Sequence, residues 1–183
     1  ITSVDRDDLP DGGASFWAKT ITEVKKENPG ITIEALIPDF DGKEENIKKV
    51  IDTQPDILSH NLETVKRLTP LIRTKAKYDR SLSVIRFIAG SGIPAKSGLM
   101  LGLGETEEEI LETMDDLLEA GCSILTLGQY LKPADGYMEP VAYISPEKFA
   151  EYRKIGLSKG FTFVESGPLV RSSWHAEKHI GAR

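Results

Sequence analysis

The sequence predicts an α/β fold built on a parallel sheet. Short stretches rich in β-branched residues alternate with stretches of helical periodicity at spacings of about 30 residues, which is typical of repeated βαβ units. Helix-start signals, such as the capping box Thr106-Glu107-Glu108-Glu109, fall between the strands. Because such sheets bind ligands beyond the carboxyl ends of their strands, the residues that follow each strand are the candidates for function.

Composition indicates an ordinary folded chain and excludes several classes. The 183 residues are 39% hydrophobic and 28% charged, with a formal net charge of −6, which argues against non-specific nucleic-acid binding. No apolar run approaches the ~20 residues of a membrane span, and no secretory signal is visible. The single cysteine, Cys122, excludes an internal disulfide and a four-thiolate iron–sulfur site within this chain. We expect one domain over residues 1–183.

The first half of the chain contains three expected strands and three expected helices. Asn28-Pro29-Gly30 ends the first helix, and the apolar residues alternate through 31–37 as in a half-buried strand. The other helices carry apolar residues at helical spacing on one face. In order, we expect a strand end at 2–4, a helix at 14–27, a strand at 31–37, a helix at 44–52, a strand at 56–59, irregular chain with short helical turns at 63–74, and a helix at 79–89.

The second half continues the same rhythm. A strand is expected at 94–101, and Thr106 then caps a helix that ends at Gly121. A strand at 123–127 leads into a long loop at 128–140. Ser145-Pro146 opens another helix, since proline is tolerated in the first turn, and the helix ends near Gly160. The last expected strand is 161–164.

Polar and glycine-rich segments follow the predicted strands. Because the carboxyl ends of parallel strands meet at one rim, these segments are expected to converge there as an active site. They are residues 3–6, 60–63, 102–105, 129–131 and 166–175.

Three of these segments contain groups suited to a nucleoside or an amino acid. Asn61 and Glu63 offer an amide and a carboxylate that can bind a ribose diol or an α-amino group, although an asparagine helix cap with a first-turn glutamate is an alternative. The glycines around Gly102 allow close approach of a backbone to a ligand, but flanking glycines also serve strand packing. Tyr130 is either a ligand contact or a core aromatic with a solvated hydroxyl.

The segment 166–176 brings together a guanidinium (Arg171), two adjacent hydroxyls (Ser172 and Ser173) and an imidazole (His175). Considered alone, it is more typical of a polar helix start with serine caps and His175 on the helix surface. It resembles the C-terminal motif of lipoyl synthases, iron–sulfur enzymes of the radical S-adenosylmethionine class. The segments 3–14, 59–63, 97–106 and 128–131 resemble the same family in the same order, so the resemblance covers essentially the whole chain.

The resemblance implies a fold and an activity. The fold would be a partial (β/α) barrel of the radical SAM type that lacks its first strands. The enzyme would insert sulfur at C6 and C8 of a protein-bound octanoyl-lysine, with a 5′-deoxyadenosyl radical from S-adenosylmethionine abstracting hydrogen. Its cofactors would be S-adenosylmethionine and two [4Fe–4S] clusters, one of which supplies sulfur. Its partners would be an octanoylated lipoyl-carrier domain and a ferredoxin or flavodoxin-type reductant, without nucleic acid or membrane, in the cytoplasm or in mitochondria.

The resemblance also implies roles for particular residues. Ser173 would be an iron ligand, and with Arg171 it would be catalytic. A serine oxygen is a weak iron ligand compared with thiolate, which suits a cluster that is dismantled for its sulfur. The residues expected around S-adenosylmethionine are Ser3, Asn61, Glu63, Gly102, Gln129, Tyr130 and Leu131.

The sequence departs from the family pattern in two places. The family's two cysteine triplets lie N-terminal to the region matched here, so we expect a C-terminal portion that holds neither cluster and is inactive alone. Tyr137-Met138-Glu139 stands before Pro140 where the family has a histidine.

One alternative function is that of a module that binds S-adenosylmethionine or the carrier protein without catalysis. Another is an aldolase-like barrel, for which Lys96, at a strand start, is a poor Schiff-base candidate.

Overall fold

A computed structural model of the chain describes residues 1–174 and residue 176. Within that part, one sheet contains five parallel strands that are neighbours in chain order. Thr2 adds a parallel bridge to Leu36 at the first strand. The α/β fold expected from the sequence is therefore confirmed. The strands are β1 (Glu34–Leu36), β2 (Ile57–Ser59), β3 (Ala95–Leu101), β4 (Cys122–Gln129) and β5 (Phe163–Gly167).

Helices connect the strands, with starts that follow the sequence signals. At the capping box, the Thr106 hydroxyl accepts a hydrogen bond from the Glu109 amide, and the Glu109 carboxylate accepts one from the Thr106 amide. No helix in residues 1–174 is long and apolar enough to cross a bilayer. The helices are α1 (Ala14–Glu27), α2 (Glu44–Ile51), α3 (Thr69–Ile72), α4 (Tyr78–Gly90), α5 (Glu107–Glu119) and α6 (Pro146–Lys159), with a 3₁₀ turn at Phe40–Gly42.

The two faces of the sheet differ in chemistry because successive side chains of a strand point to opposite sides. One face carries apolar side chains such as Leu58, Leu99 and Leu125, which join the helices in the hydrophobic core. The other face, called here the inner face, carries polar and small residues among apolar ones. The polar and small residues include Glu34, Ser59, Lys96, Gly98, Thr126 and Gly128, and the apolar ones include Leu36, Ile57, Met100 and Ile124.

Three strands differ from their expected bounds by more than one residue at an end. β1 is shorter, and Ile31 is 44% exposed, so the alternation in 31–37 extends beyond the hydrogen-bonded ladder. β4 continues to Gln129, where it pairs with Leu101. β5 starts at Phe163 and ends at Gly167 because Gly167 pairs with Gly128 of β4. Ser166 therefore lies in a strand and not in the loop that follows it.

Candidate functional site

A cavity of about 280 Å³, called here the central cavity, opens at the carboxyl ends of the strands on the inner face of the sheet. Five predicted site residues line it, four of them expected around the cofactor and one, Arg171, expected to be catalytic. This fits the convergence predicted for a parallel sheet. They are Asn61, Glu63, Gln129, Leu131 and Arg171. Other lining groups come from Leu36, Gly98, Thr126, Gly128 and Ser172.

Glu63 is held by the sheet in an uncommon conformation. Its φ of 69° is left-handed, which is costly for a residue with a side chain and tends to occur at functional sites. The Glu63 amide donates to the Gly98 carbonyl at 3.0 Å, and its carbonyl accepts from the Met100 amide at 2.8 Å. Burial raises the pKa of the Glu63 carboxyl, while the Asn61 amide and the Arg73 charge oppose that shift.

Asn61 presents a buried oxygen to the cavity. Its Nδ2 donates to Glu63 Oε1 at 3.1 Å, whereas its Oδ1 has no hydrogen-bond partner among the described residues. A Cβ on Gly98 would lie 3.0 Å from that oxygen and 2.7 Å from Thr126 Oγ1. The Asn61 and Thr126 side chains therefore close over Gly98 more tightly than any residue with a side chain would permit. The Asn61 oxygen is a buried acceptor that lacks a donor among the described residues, which is the arrangement a polar ligand completes.

A buried histidine, His60, belongs to a hydrogen-bonded chain that reaches the backbone of Asn61. His60 Nδ1 lies 3.0 Å from the Ile37 carbonyl, which can only accept, so Nδ1 carries the proton and Nε2 accepts from the Ser81 hydroxyl at 2.9 Å. Arg73 Nη1 donates to Ser81 Oγ at 3.2 Å and to the Asn61 carbonyl at 3.1 Å. The ring is therefore held neutral within a chain of hydrogen bonds that positions Asn61.

This arrangement predicts pH-dependent stability. Burial lowers the pKa of His60 to about 4, so between that value and the ordinary value of about 6.5 only the unfolded chain binds the proton. Stability is then lost as the pH falls. Between pH 7 and pH 5 we expect the protein to lose about 2 kcal/mol more unfolding free energy than a His60→Gln variant. Urea titrations at both pH values measure this, and equal losses would contradict it.

Gln129 and Gly102 are engaged with a loop that crosses the end of β3, residues 131–145. Gln129 Nε2 donates to the Ala142 carbonyl at 3.0 Å, and its Oε1 accepts from the Ile144 amide at 2.9 Å. The Gly102 carbonyl accepts from the Val141 amide at 2.8 Å. Gly102 does not line the cavity; its missing side chain makes room for this loop.

Tyr130 and Leu131 take different positions. The Tyr130 hydroxyl donates to the Met138 carbonyl at 2.9 Å and the residue is buried, as expected for a core aromatic whose polar end finds a partner. Tyr130 therefore ties down the loop 131–145 and is not among the residues that line the cavity. Leu131 is half exposed at the cavity edge.

The structure separates the remaining predicted site residues. Ser3 lines a different cavity beside α1, with Phe16 and Trp17. Arg171 lines the central cavity, and its Nη1 donates to the Val170 carbonyl at 2.8 Å. Ser173 is exposed in a turn one residue beyond the lining residue Ser172, so its role as an iron ligand stays a prediction. His175 lies outside the described residues.

Lys96 is a site residue that the sequence analysis does not predict, because it considers this lysine only as a poor Schiff-base candidate at a strand start. The side chain is fully buried on the inner face, and its Nζ lies 2.7 Å from Glu34 Oε1. Burial lowers the pKa of Lys96, and the Glu34 carboxylate opposes that shift. The signal available in the sequence was a lysine inside an otherwise apolar and small strand, residues 95–101.

Similarity to known proteins identifies the superfamily of this chain. The sequence profile of the Radical SAM superfamily matches residues 1–117. A lipoyl synthase of Phocaeicola vulgatus is 62% identical over 98% of this chain, and one of Treponema denticola is 58% identical over 98%. The chain spans 63% and 62% of the lengths of these two relatives.

Solved structures share the fold at low sequence identity. A domain of a pyruvate-formate lyase-activating enzyme from Bacteroides vulgatus superimposes with a TM-score of 0.68 at 17% identity, over 91% of this chain and 98% of that domain. A methylornithine synthase gives 0.64 at 15% identity, over 86% of this chain and 54% of that protein. These likenesses support the partial barrel expected from the sequence.

Proposed function

Because this chain belongs to the Radical SAM superfamily and is similar to lipoyl synthases along nearly its whole length, we propose that the protein containing it is a lipoyl synthase. Its reaction would be sulfur insertion at C6 and C8 of an octanoyl chain on a carrier-domain lysine. When bound, S-adenosylmethionine and a reduced [4Fe–4S] cluster would supply the radical chemistry. The contribution of this chain is the binding surface for the nucleoside.

One observation carries the proposal: Asn61 Oδ1, in a residue that lines the cavity, is buried and has no hydrogen-bond partner among the described residues. A ribose hydroxyl can donate to Asn61 Oδ1, and the Glu63 carboxylate can accept from a second hydroxyl or from an ammonium group. Asn61, Glu63 and Gly98 line the same cavity, so both side chains can reach one ligand. The residues present therefore fit S-adenosylmethionine, with Gln129 and Leu131 at the cavity edge.

The residues present do not fit an iron–sulfur cluster. Within residues 1–174 and 176, no group of three or more His, Cys, Asp or Glu side chains is placed to hold a metal. Cys122 is buried at the start of β4, and burial raises the pKa of its thiol to about 12, which disfavours the thiolate that ligates iron. By the resemblance alone, Ser173 would be an oxygen ligand of a cluster whose thiolates are not among the described residues.

The proposed enzyme would act with two kinds of partner protein. The carrier would be an octanoylated lipoyl domain, and electrons would come from a ferredoxin or flavodoxin. Arg171, at the cavity wall next to Ser172, would contact the reacting groups. Residues 1–183 would act as one domain, since one sheet carries the described strands and its core is continuous.

Calorimetric titration with S-adenosylmethionine tests the nucleoside site. Removal of the Asn61 amide in Asn61→Leu should weaken binding about tenfold, because one hydrogen bond contributes roughly 1–1.5 kcal/mol. Thr64→Val is the matched control, since Thr64 Oγ1 is also buried without a partner among the described residues but lies outside the cavity lining. The control should bind as the parent does. Equal losses in both variants, or no binding by the parent, would refute the site.

The lack of cluster thiolates among the described residues favours a second candidate, a module that binds S-adenosylmethionine without catalysis. Both candidates require that this chain alone holds no cluster, and reconstitution with iron and sulfide tests that requirement. A stoichiometric cluster absorbance on the 183-residue chain would refute it. Binding of S-adenosylmethionine without that absorbance would support the nucleoside site that the two candidates share.

A further inference from the structure

Lys96 joins three separate parts of the fold at the inner face. Its side chain is 0% exposed, and its ammonium group donates to Glu34 Oε1 on β1 and to the Ser172 carbonyl after β5. The Ser59 hydroxyl of β2 donates to the same Glu34 oxygen at 3.1 Å. A single buried cation therefore links the first strand, the third strand and the C-terminal segment.

Stability alone does not account for such a pair. Taking an ammonium and a carboxylate out of water is expensive, and replacing a buried ion pair with apolar residues of similar volume is often neutral or stabilising. In this protein the ammonium also donates to a backbone carbonyl, that of Ser172, across a sequence separation of 76 residues. The contact fixes the position of a chain segment, which an apolar pair cannot do because it has no donor.

The segment so fixed, residues 170–173, lies across the inner face. Val170 is buried, and its carbonyl oxygen lies 2.3 Å from where a Cβ of Gly128 would be, so the segment passes directly over β4. Val170, Arg171 and Ser172 line one side of the central cavity. The carbonyl that Lys96 holds is one residue before Ser173.

We propose that Lys96 is a positioning residue that anchors segment 170–173 over the sheet, so that Arg171 and Ser172 close the cavity wall and Ser173 is presented beside it. This inference deepens the proposed function and rests on it for the role of Ser173. The anchor itself rests on the contacts of Lys96, Glu34 and Ser172. Its loss should release the segment while the core of the sheet and helices stays folded.

Trp174 allows the segment to be observed separately from the core. The sequence has two tryptophans, and the other, Trp17, is buried in α1. With 5-fluorotryptophan incorporated in the 183-residue chain, each tryptophan gives one fluorine resonance, which a Trp17→Phe variant assigns. In Lys96→Met we expect the Trp174 resonance to move toward its value in the unfolded chain and the Trp17 resonance to keep its position.

The double variant Glu34→Met/Lys96→Met removes both charges and so separates anchoring from stability. It should melt close to the parent and still show the displaced Trp174 resonance, because the Ser172 carbonyl has lost its donor. Trypsin should cleave after the exposed Arg171 at least several-fold faster in this variant than in the parent. Ser59→Ala, which leaves Lys96 in place, should preserve the parent resonance and cleavage rate.

The outcomes separate the two proposals. An unchanged Trp174 resonance and cleavage rate in the double variant would overturn the anchor, whatever the affinity for S-adenosylmethionine. A displaced resonance together with at least tenfold weaker binding of S-adenosylmethionine would support both the anchor and its place in the site. A displaced resonance in a chain whose parent form does not bind S-adenosylmethionine would support the anchor and refute the nucleoside site.

Discussion

Replacing Gly102 with alanine is expected to lower the free energy of unfolding by about 3 kcal/mol or more. Its φ of +100° is a left-handed conformation, which costs a residue with a Cβ roughly 1–2 kcal/mol. The added Cβ would lie 2.3 Å from the Ala142 carbonyl oxygen and 2.4 Å from Gln129 Nε2. Relief of that overlap requires the loop 131–145 to move, which costs a further ~1–3 kcal/mol. Guanidinium titration measures the sum.

Gly92→Ala is the matched control for this prediction. Gly92 has a similar left-handed φ of +84°, but no described atom lies within 4 Å of the position its Cβ would take. That variant should therefore lose only the conformational part, about 1 kcal/mol. If both substitutions cost the same, the loop does not approach Gly102 as closely as the structure indicates.

Gly128→Ala is expected to weaken S-adenosylmethionine binding by about 10- to 100-fold. The conformation of Gly128 is not left-handed, so the effect comes from contact alone. A Cβ there would lie 2.3 Å from the Val170 carbonyl oxygen, a backbone atom that can yield only if the whole segment shifts. A shift that costs about 1–3 kcal/mol would appear as that loss of affinity, because this segment forms a wall of the cavity.

Gly167→Ala tests whether the loss is specific to that contact. Gly167 pairs with Gly128 across β4 and β5, and a Cβ on it would meet only the Val170 side chain, at an ordinary 3.4 Å. We expect its affinity to stay within about twofold of the parent, since 1.4 kcal/mol corresponds to tenfold. Comparable losses in the two variants would show that the close passage over Gly128 does not control the cavity.

Much of the fold could be predicted from local pattern. The capping box at Thr106 and the proline after Ser145 define helix starts by chemistry that acts within one turn, so they needed no tertiary information. Strand ends were predicted less well, because pairing decides them. Ser166 and Gly167 belong to β5 through the ladder with β4, and nothing in their own sequence indicates a strand.

The site shows the same division. Asn61 and Glu63 were predicted because they follow a strand, and the parallel sheet brings them to the cavity. Gln129 was predicted as a cofactor contact, yet its amide also holds the loop 131–145 through Ala142 and Ile144. These two hydrogen bonds depend on how the loop folds back, which local sequence does not indicate. Lys96 was set aside because its importance depends on Glu34 and Ser172, which are distant in sequence.

The backbone hydrogen bonds between Glu63 and β3 affect the entropic cost of ligand binding. Since its amide and carbonyl are both bonded to β3, the carboxylate stands on ordered backbone before any ligand arrives. Preorganisation of this kind lowers the entropic cost of association, because no flexible segment has to become immobile on complex formation. The free-energy cost of the left-handed Glu63 backbone therefore belongs to folding and does not reduce the affinity for the ligand.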